Sequence, residues 1–342
     1  MRAAFIDKPL SMVYKTDIEE PQITKDDEVK IQVVVTGICG SEVHAFHGTH
    51  PFRIPPVVSG HEFAGNVVEV GKNVTKFKVG DRVTVEPHIG CGKCPQCMSG
   101  QYNICPNKKV LGSGGWIGSF GEFIVVPEQT VIKLPDKVTY EEGALIEVLA
   151  VGMHAVRMSN LNVGKTCAII GAGPIGMGTL LAAQLAGASK IFMTDALPFN
   201  IEMAKKLGCD VVLNSREQDI RAEILKQTDG EGVDCVFICF GCDSTIMDAL
   251  TIAKRGGEIH EIALLGKDVT INVSNLQMRE LKYIGSNMYT RDDFEAVISA
   301  INAGKIDVKP FISKVMPVEE CTEAMDIVDK KKEPVIKVMM KF

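Results

Sequence analysis

The chain has 342 residues, of which 46% are hydrophobic and 23% are charged, and its formal net charge is −6. This length favours two domains over a single hydrophobic core. An acidic balance without a basic block argues against nucleic acid as a partner, and no apolar stretch reaches the roughly 20 residues that span a bilayer. The N-terminal residues lack the apolar segment of a secretory signal, so we expect a cytoplasmic protein with no membrane partner.

The first part of the chain predicts a mainly β domain. Short strands are expected where alternating or apolar residues lie between prolines and glycines, at 29–35, 65–70, 83–86, 121–126 and 131–134. The stretch from about 90 to 115 has little periodicity and is expected to form a surface lobe without a core of its own.

After residue 141 the pattern changes to strands and helices in alternation. Strands are expected at 166–170, 190–194, 210–213, 233–238 and 258–264, with helices at 174–186, 199–207, 217–227 and 244–253. This alternation predicts a parallel sheet with helices on both faces. A helix at 291–303 and a strand at 335–339 are expected to return to the first domain. The predicted domains are therefore 1–148 with 287–342, and 149–286.

Four cysteines lie in the expected lobe at the spacing C-x2-C-x2-C-x7-C. They are Cys91, Cys94, Cys97 and Cys105. Four thiolates can complete the tetrahedral shell of one Zn²⁺ and leave no position open for chemistry, so this zinc is predicted to be structural. The alternative is a thiol redox sensor, which reversible zinc loss on mild oxidation would reveal.

A second cluster is the candidate reaction centre, and it comprises Cys39, His61, Glu62 and Glu147. One thiolate, one imidazole, a carboxylate and a water form an open zinc site. Such a site can bind an alcohol and lower its pKa.

Two polar residues follow Cys39 closely and are candidates for a proton relay. Ser41 is placed to take the alcohol proton, and His44 could pass that proton to solvent because its ordinary pKa lies near neutrality.

A dinucleotide fingerprint G-x-G-x-x-G directly follows the expected strand at 166–170. Its residues are Gly171, Ala172, Gly173, Pro174, Ile175 and Gly176. Glycines let backbone amides approach a pyrophosphate, and the helix that begins at Pro174 directs its positive end there. Asp195 ends the next strand and can accept hydrogen bonds from the adenine-ribose hydroxyls. No Arg or Lys follows before Lys205, and Asn200 offers no phosphate clamp, so NAD is favoured over NADP.

The motifs in this order resemble the zinc-dependent medium-chain dehydrogenase/reductase family, which includes alcohol, sorbitol, threonine and butanediol dehydrogenases. The matching stretches are GICGSEVH, GHEFAG, VGDRV, the four-cysteine lobe, GALIEVLAVGMHA and GAGPIG. The resemblance implies a GroES-like catalytic domain and a Rossmann-type coenzyme domain with a cleft between them. It also implies that Cys39 and His61 bind one of two zinc ions per chain, and that the chain forms a homodimer or homotetramer.

The third protein ligand distinguishes branches of the family. Alcohol dehydrogenases are expected to have a cysteine where this chain has Glu147, which is similar to the polyol and threonine branches. Either Glu62 or Glu147 could ligate the metal directly or hold its water. For Glu147 the alternative is a charge near a helix N-terminus.

Two positions bear on the substrate. Sorbitol dehydrogenases are expected to have an aromatic residue at Ala45 and an arginine at Met288, so a sorbitol-specific pocket is not expected. The resemblance implies oxidation of a secondary alcohol, polyol or diol to a ketone, with hydride transfer to NAD. The alternatives are a threonine-type amino alcohol dehydrogenase, a galactitol-phosphate or butanediol-type dehydrogenase, and a non-catalytic coenzyme-binding protein.

Overall fold

The computed structural model describes residues 1–266 and 268–342. The chain forms two compact units: unit 1 comprises Met1–Glu147 and Thr290–Phe342, and unit 2 comprises Val148–Tyr289. In the described residues, no helix combines the length and the apolar character needed to cross a bilayer.

Unit 1 is mainly β, as predicted. Its elements are β1 (Ala3–Lys8), β2 (Ser11–Lys15), β3 (Glu28–Gly37), α1 (Gly40–Phe46), β4 (Glu62–Val70), β5 (Arg82–Val85), β6 (His88–Ile89), α2 (Pro95–Met98), β7 (Lys109–Val110), β8 (Phe123–Pro127) and β9 (Val131–Lys133). Helix α3 (Tyr140–Met158) contains the boundary between the units. After unit 2 the chain adds α9 (Arg291–Asn302), β16 (Ile312–Pro317), α10 (Cys321–Lys330) and β17 (Lys337–Lys341).

The main sheet of unit 1 has seven strands in the order β16-β17-β3-β4-β5-β9, with β8 also paired to β3. Strand β3 is central because its alternate residues Val29, Ile31, Val33 and Val35 are apolar and fully buried. Only the β16–β17 pair is parallel; the other pairs of this sheet are antiparallel.

The register of this sheet brings distant parts of the chain to one point. Gly37, at the end of β3, pairs with Glu62 at the start of β4 and with Met339 of β17. A Cβ atom at Gly37 would lie 2.4 Å from Oε2 of Glu62, so any larger residue there would displace the Glu62 carboxylate. The segment that follows β3 therefore begins directly beside the Glu62 side chain.

Unit 2 contains the predicted parallel sheet. Its elements are β10 (Thr166–Ile170), α4 (Pro174–Leu185), β11 (Lys190–Asp195), α5 (Pro198–Lys206), β12 (Val211–Asn214), α6 (Ile220–Lys226), β13 (Val233–Ile238), α7 (Asp243–Ile252), β14 (Ala253–Glu261), α8 (Val273–Arg279) and β15 (Lys282–Gly285). The strand order is β12-β11-β10-β13-β14-β15 and every pair is parallel.

One predicted strand of unit 2 was misplaced. The expected strand at 258–264 is β14, which begins at Ala253 and ends at Glu261. Glu261 pairs with Ile238 and Gly285, which are the last residues of the two neighbouring strands. The apolar residues after Glu261 continue the sequence pattern, but they lie outside the strand, and the amides of Ile262 and Ala263 both donate to the carbonyl of Ile238.

Candidate functional site

The predicted reaction centre is assembled in unit 1 around His61. Donor atoms of His61, Glu62 and Glu147 lie within 4.8 Å of one another, and those of Cys39, Glu42 and His61 do so as well. The distance from His61 Nε2 to Glu147 Oε1 is 3.8 Å. Donors at about 2.0 to 2.3 Å from a tetrahedral zinc lie roughly 3.3 to 3.8 Å apart, so the separation of His61 and Glu147 fits this metal, and thiolate, imidazole and carboxylate are the donor types that zinc takes.

Glu42, which was not among the predicted site residues, holds the imidazole of His61 in place. Its Oε1 accepts hydrogen bonds from His61 Nδ1 at 2.8 Å and from Ser59 Oγ at 3.1 Å, while Oε2 accepts from the Cys39 amide at 3.2 Å. With Nδ1 bound to Glu42, Nε2 is the ring atom that can bind a metal.

The charge environment keeps Glu42 ionised although it is fully buried. Burial alone would raise the pKa of this carboxyl, but His61, the guanidinium of Arg53 and the hydrogen bonds lower it to about 2. An ionised Glu42 that accepts a hydrogen bond from Nδ1 makes a neutral His61 a better electron donor to a metal. The sequence does contain a signal for this role. Glu42 lies three residues after Cys39, in the first turn of the short helix α1.

Glu62 is fully buried and forms an ion pair with a second residue that the sequence analysis missed. Lys337 Nζ donates to Glu62 Oε1 and Oε2, both at 2.7 Å, and lies 3.3 Å from the carbonyl oxygen of Ile38. Lys337 is the first residue of β17, some 275 positions from Glu62, so no sequence spacing could have connected them. The Glu62 carboxylate is thus already paired with a cation, whereas Glu147 Oε1 lies 3.8 Å from His61 Nε2.

The two relay candidates lie on α1. Arg53 Nη1 donates to Ser41 Oγ at 3.1 Å and also lies 3.3 Å from His50 Nε2. His44 is exposed, and its Nδ1 lies 3.5 Å from Thr49 Oγ1. Ser41 is therefore held by a buried cation, and His44 is open to solvent.

The four cysteines of the lobe converge, with all four Sγ atoms within 4.8 Å of one another. Cys94 Sγ and Cys105 Sγ are 3.7 Å apart, which is far beyond a disulfide bond. Backbone amides of Cys91 and Cys97 donate to the sulfurs of Cys105 and Cys94. These amides stabilise thiolates, which are the form that binds zinc.

A buried acid lies beside the lobe and was also missed. Glu86 lines a cavity of about 520 Å³ together with His88, Tyr102 and Arg291. Burial raises the pKa of Glu86 to about 7 despite a hydrogen bond from Tyr102 and the charge of Arg291, and burial lowers the pKa of His88 to about 3. His88 is therefore neutral near pH 7, whereas about half of the Glu86 carboxyl groups are still protonated there.

The dinucleotide fingerprint of unit 2 has the geometry its glycines imply. Gly171 has φ of +99°, and a Cβ atom at Gly176 would overlap the carbonyl oxygen of Gly171. Helix α4 begins at Pro174 with Gly173 as its N-cap, so the free amides of its first turn lie at the loop.

Asp195 and Asn200 lie together beside this loop. Asp195 Oδ2 accepts hydrogen bonds from the Ala172 amide at 2.7 Å and from Asn200 Nδ2 at 3.2 Å, and Oδ1 accepts from the Leu197 amide at 2.8 Å. Asp195 thus anchors the fingerprint loop, a contact that the sequence analysis did not anticipate. Asn200 orients the carboxylate.

These two units, one with two sets of zinc donors and the other with a dinucleotide loop, define a zinc-dependent dehydrogenase. Residues 25–136 match the alcohol dehydrogenase GroES-like domain and residues 174–303 match the zinc-binding dehydrogenase domain. The predicted combination of a GroES-like and a Rossmann-type fold is confirmed.

Relatives extend over nearly the whole chain. Sorbitol dehydrogenase of Bacillus subtilis is 36% identical over 319 residues, 92% of this chain and 90% of the relative. D-arabitol-phosphate dehydrogenase of Enterococcus avium is 38% identical over 329 residues, 95% of this chain and 92% of the relative. The crystal structure of 2R,3R-butanediol dehydrogenase from Bacillus subtilis superposes with a TM-score of 0.91 at 32% identity, covering 100% of this chain and 99% of that one. The chain therefore belongs to the polyol branch of the zinc-dependent medium-chain dehydrogenase/reductase family, and it is an oxidoreductase that acts on CH–OH groups.

Proposed function

We propose that the protein oxidises a secondary hydroxyl of a polyol or diol to a ketone and transfers the hydride to NAD. The observation that carries this proposal is that two donor groups meet at His61, one formed with Cys39 and Glu42 and the other with Glu62 and Glu147. Glu42 also fixes the imidazole through Nδ1. The relatives named for sorbitol, arabitol phosphate and butanediol support this substrate class. These names do not favour the threonine-type alternative.

Cys39, His61 and Glu147 would hold the catalytic zinc. Bound there, zinc supplies a Lewis acid that polarises the substrate hydroxyl and makes its proton easier to remove. Glu62 remains a second candidate ligand, but its pairing with Lys337 supports Glu147 as the direct one. One thiolate and one carboxylate balance the charge of Zn²⁺, and a second carboxylate would weaken its pull on the substrate oxygen.

Ser41 would accept the hydroxyl proton and His44 would release it to solvent. The hydrogen bond from Arg53 leaves Ser41 Oγ with its own proton to donate and a lone pair to receive another. The imidazole of His44 is exposed, so it can exchange protons with bulk water.

NAD would bind to unit 2. Its pyrophosphate would lie at the backbone amides of Gly171, Gly173 and Gly176, at the start of the helix that begins at Pro174. The carboxylate of Asp195 would accept hydrogen bonds from the adenine-ribose hydroxyls and repel a 2′-phosphate, which supports NAD over NADP. The contacts of Asp195 with Ala172 and Asn200 keep this carboxylate at the loop.

The second zinc would be structural and held by the four lobe cysteines.

We further propose a cytoplasmic homotetramer or homodimer. Strand β15 is an edge of the sheet in unit 2, and Leu264, Val273 and Met278 of the same unit expose apolar side chains. Light scattering on the purified protein would test the oligomeric state.

The substitution His61→Ala tests the proposed reaction centre. Turnover should be abolished and the zinc content should fall from two ions per chain to about one, because only the lobe site remains. Elemental analysis and NADH absorbance with sorbitol, xylitol, butanediol and threonine measure the two effects. The matched control is His47→Ala. His47 is an exposed histidine that directly follows α1, and this variant should retain both zinc ions and activity. Full activity in the His61 variant would contradict the proposal.

A further inference from the structure

A buried guanidinium lies between the proposed proton relay and the carboxylate that orients His61. Arg53 is only 4% exposed; its Nη1 donates to Ser41 Oγ at 3.1 Å, and its Nε lies 3.7 Å from Oε1 of Glu42. Ser41 and Glu42 are consecutive residues of α1, so one planar guanidinium reaches both of them through different nitrogens. Arg53 itself lies in the loop between α1 and β4 and was not among the predicted site residues. It therefore connects the relay serine to the group that holds a metal ligand in place.

His50 holds the loop that carries Arg53, but it does not compete with Ser41 for the guanidinium. Its Nδ1 accepts hydrogen bonds from the amides of Phe52 and Arg53 at 3.3 and 3.1 Å, so this nitrogen carries no proton. Burial, together with the charge of Arg53, lowers the pKa of His50 to about 4, so the ring is neutral near pH 7 and its proton lies on Nε2. A protonated Nε2 cannot accept from Arg53 Nη1, which is 3.3 Å away. Ser41 Oγ is therefore the side chain that accepts from Nη1.

Further contacts fix the plane of the guanidinium. The Cζ atom of Arg53 lies 5.7 Å from the centre of the Phe52 ring, and Nη2 lies 3.5 Å from the carbonyl oxygen of the fully buried Leu111. Glu42 attracts the guanidinium without forming a hydrogen bond to it, because 3.7 Å is too long for one and Oε1 already accepts two others. These contacts keep Nη1 directed at Ser41.

We infer that Arg53 is a positioning residue for the proton transfer and that it acts on the substrate through Ser41. A serine oxygen has two lone pairs and one proton, and Arg53 occupies one of the lone pairs. The other lone pair is then the one that receives the substrate proton, while the serine passes its own proton on towards solvent. This inference rests on the proposed function, because it presumes that Ser41 takes the proton of the substrate hydroxyl.

The charge of Arg53 gives this role a consequence that a purely structural residue would lack. A fixed cation beside the serine oxygen stabilises negative charge that develops on the serine and substrate oxygens, and it destabilises a doubly protonated serine. Ser41 is therefore made to release its own proton as it takes the proton of the substrate. Without the guanidinium, proton transfer should slow down while the substrate still binds.

The test measures kcat, KM and the solvent isotope effect on kcat, with whichever of sorbitol, xylitol and butanediol the wild type oxidises fastest. Arg53→Met should lower kcat about 10- to 100-fold and change KM little, because the serine loses its orientation while substrate binding is kept. Its solvent isotope effect should rise above that of the wild type, because proton transfer becomes more rate-limiting. Arg53→Lys keeps the charge but lacks the planar fork, so its kcat should fall less.

A double-variant cycle separates this role from a structural one. In a Ser41→Ala background, Arg53→Met should lower kcat by less than about twofold, because the group on which it acts is gone. Zinc content should stay at two ions per chain in each of these variants, since neither residue is a proposed ligand. The matched control is Arg82→Met. Arg82 donates to three backbone carbonyls of the same unit, so its loss should lower the free energy of unfolding without changing the solvent isotope effect.

Several results would overturn the inference. An unchanged kcat and solvent isotope effect in Arg53→Met, or in Arg53→Lys if the first variant does not fold, would leave Arg53 without a role in proton transfer. Equal losses in the presence and absence of the Ser41 hydroxyl would mean that Arg53 does not act through it. Loss of one zinc ion would mean that Arg53 supports the metal ligands through Glu42 instead. Full activity of Ser41→Ala alone would overturn the proposed relay as well, whereas a slow Ser41→Ala variant confines any failure to Arg53.

Discussion

The two candidate zinc sites of unit 1 hold their donors by different means. The lobe gathers four identical donors from residues 91 to 105, and backbone amides of the same segment stabilise the sulfurs. The cluster around His61 gathers different donors from the segment after β3, the start of β4 and α3. Two buried carboxylates there have counter-groups, since Glu42 pairs with His61 and Glu62 pairs with Lys337. The donors of the lobe are thus positioned by one segment of the chain, whereas the donors around His61 are positioned by several strands and helices of unit 1.

This difference also explains what could be predicted from the sequence. The four cysteines and the glycines of the fingerprint are local motifs, so their spacing alone indicated a zinc lobe and a dinucleotide loop. Cys39, His61, Glu62 and Glu147 could be grouped by the chemistry of their side chains. The family resemblance added the assignment of zinc to Cys39 and His61, because no local pattern connects positions so far apart.

The supporting groups could not be predicted in the same way. Lys337 reaches Glu62 only because β17 pairs with β3 and β3 pairs with β4, which is a property of the sheet register. Glu42 was readable in principle, since it lies on α1 one turn after Cys39, but a carboxylate there equally suits a helix first turn. The end of β14 was missed because apolar residues continue beyond the last ladder pair.

The largest effect is expected from Lys337→Met, which tests whether buried charges in the reactive cluster need their counter-groups. The change leaves the carboxylate of Glu62 buried and unpaired, so the free energy of unfolding should fall by about 3–5 kcal/mol. Denaturation of the single variant, of Glu62→Gln and of the double variant measures the coupling. The double variant should recover most of the loss; additive losses would mean that the two residues act independently.

A somewhat smaller effect is expected near the lobe, where Glu86 links stability to pH. The pKa of a glutamate in the unfolded chain is about 4.5, and burial raises the pKa of Glu86 to about 7 in the folded protein. The charges of Asp292 and Asp293 also raise this pKa, whereas Tyr102 and Arg291 lower it. Between these pH values the unfolded chain binds fewer protons, so the free energy of unfolding should fall as pH rises from 4.5 to 7, by at most about 3 kcal/mol.

Glu86→Gln should remove this dependence and stabilise the protein at pH 8 but not at pH 4.5. The matched control is Glu69→Gln, an exposed acid of the same unit, which should follow the wild-type curve. Parallel denaturation curves for wild type and Glu86→Gln across this range would show that Glu86 is already ionised at low pH.

The smallest of the three effects concerns Glu42, which positions His61. Glu42→Gln replaces an acceptor-only carboxylate by an amide whose NH₂ must face a hydrogen-bond donor, so zinc affinity at the reactive site should fall about 10- to 100-fold. Chelator competition measures the two zinc ions separately, and the lobe zinc serves as the internal standard. The control is Glu295→Gln on the exposed face of α9, which should leave both affinities unchanged. Equal weakening of both ions would point to a general loss of stability instead.

The central claim is that this chain holds zinc at two chemically different places, and anomalous diffraction at the zinc edge on crystals of the purified protein tests it directly. We expect two peaks per chain, one enclosed by the four lobe sulfurs and one within about 2.0 to 2.3 Å of Cys39 Sγ and His61 Nε2, with Glu147 on the same side. A single peak at the lobe, from protein that reduces NAD at full rate, would contradict the account.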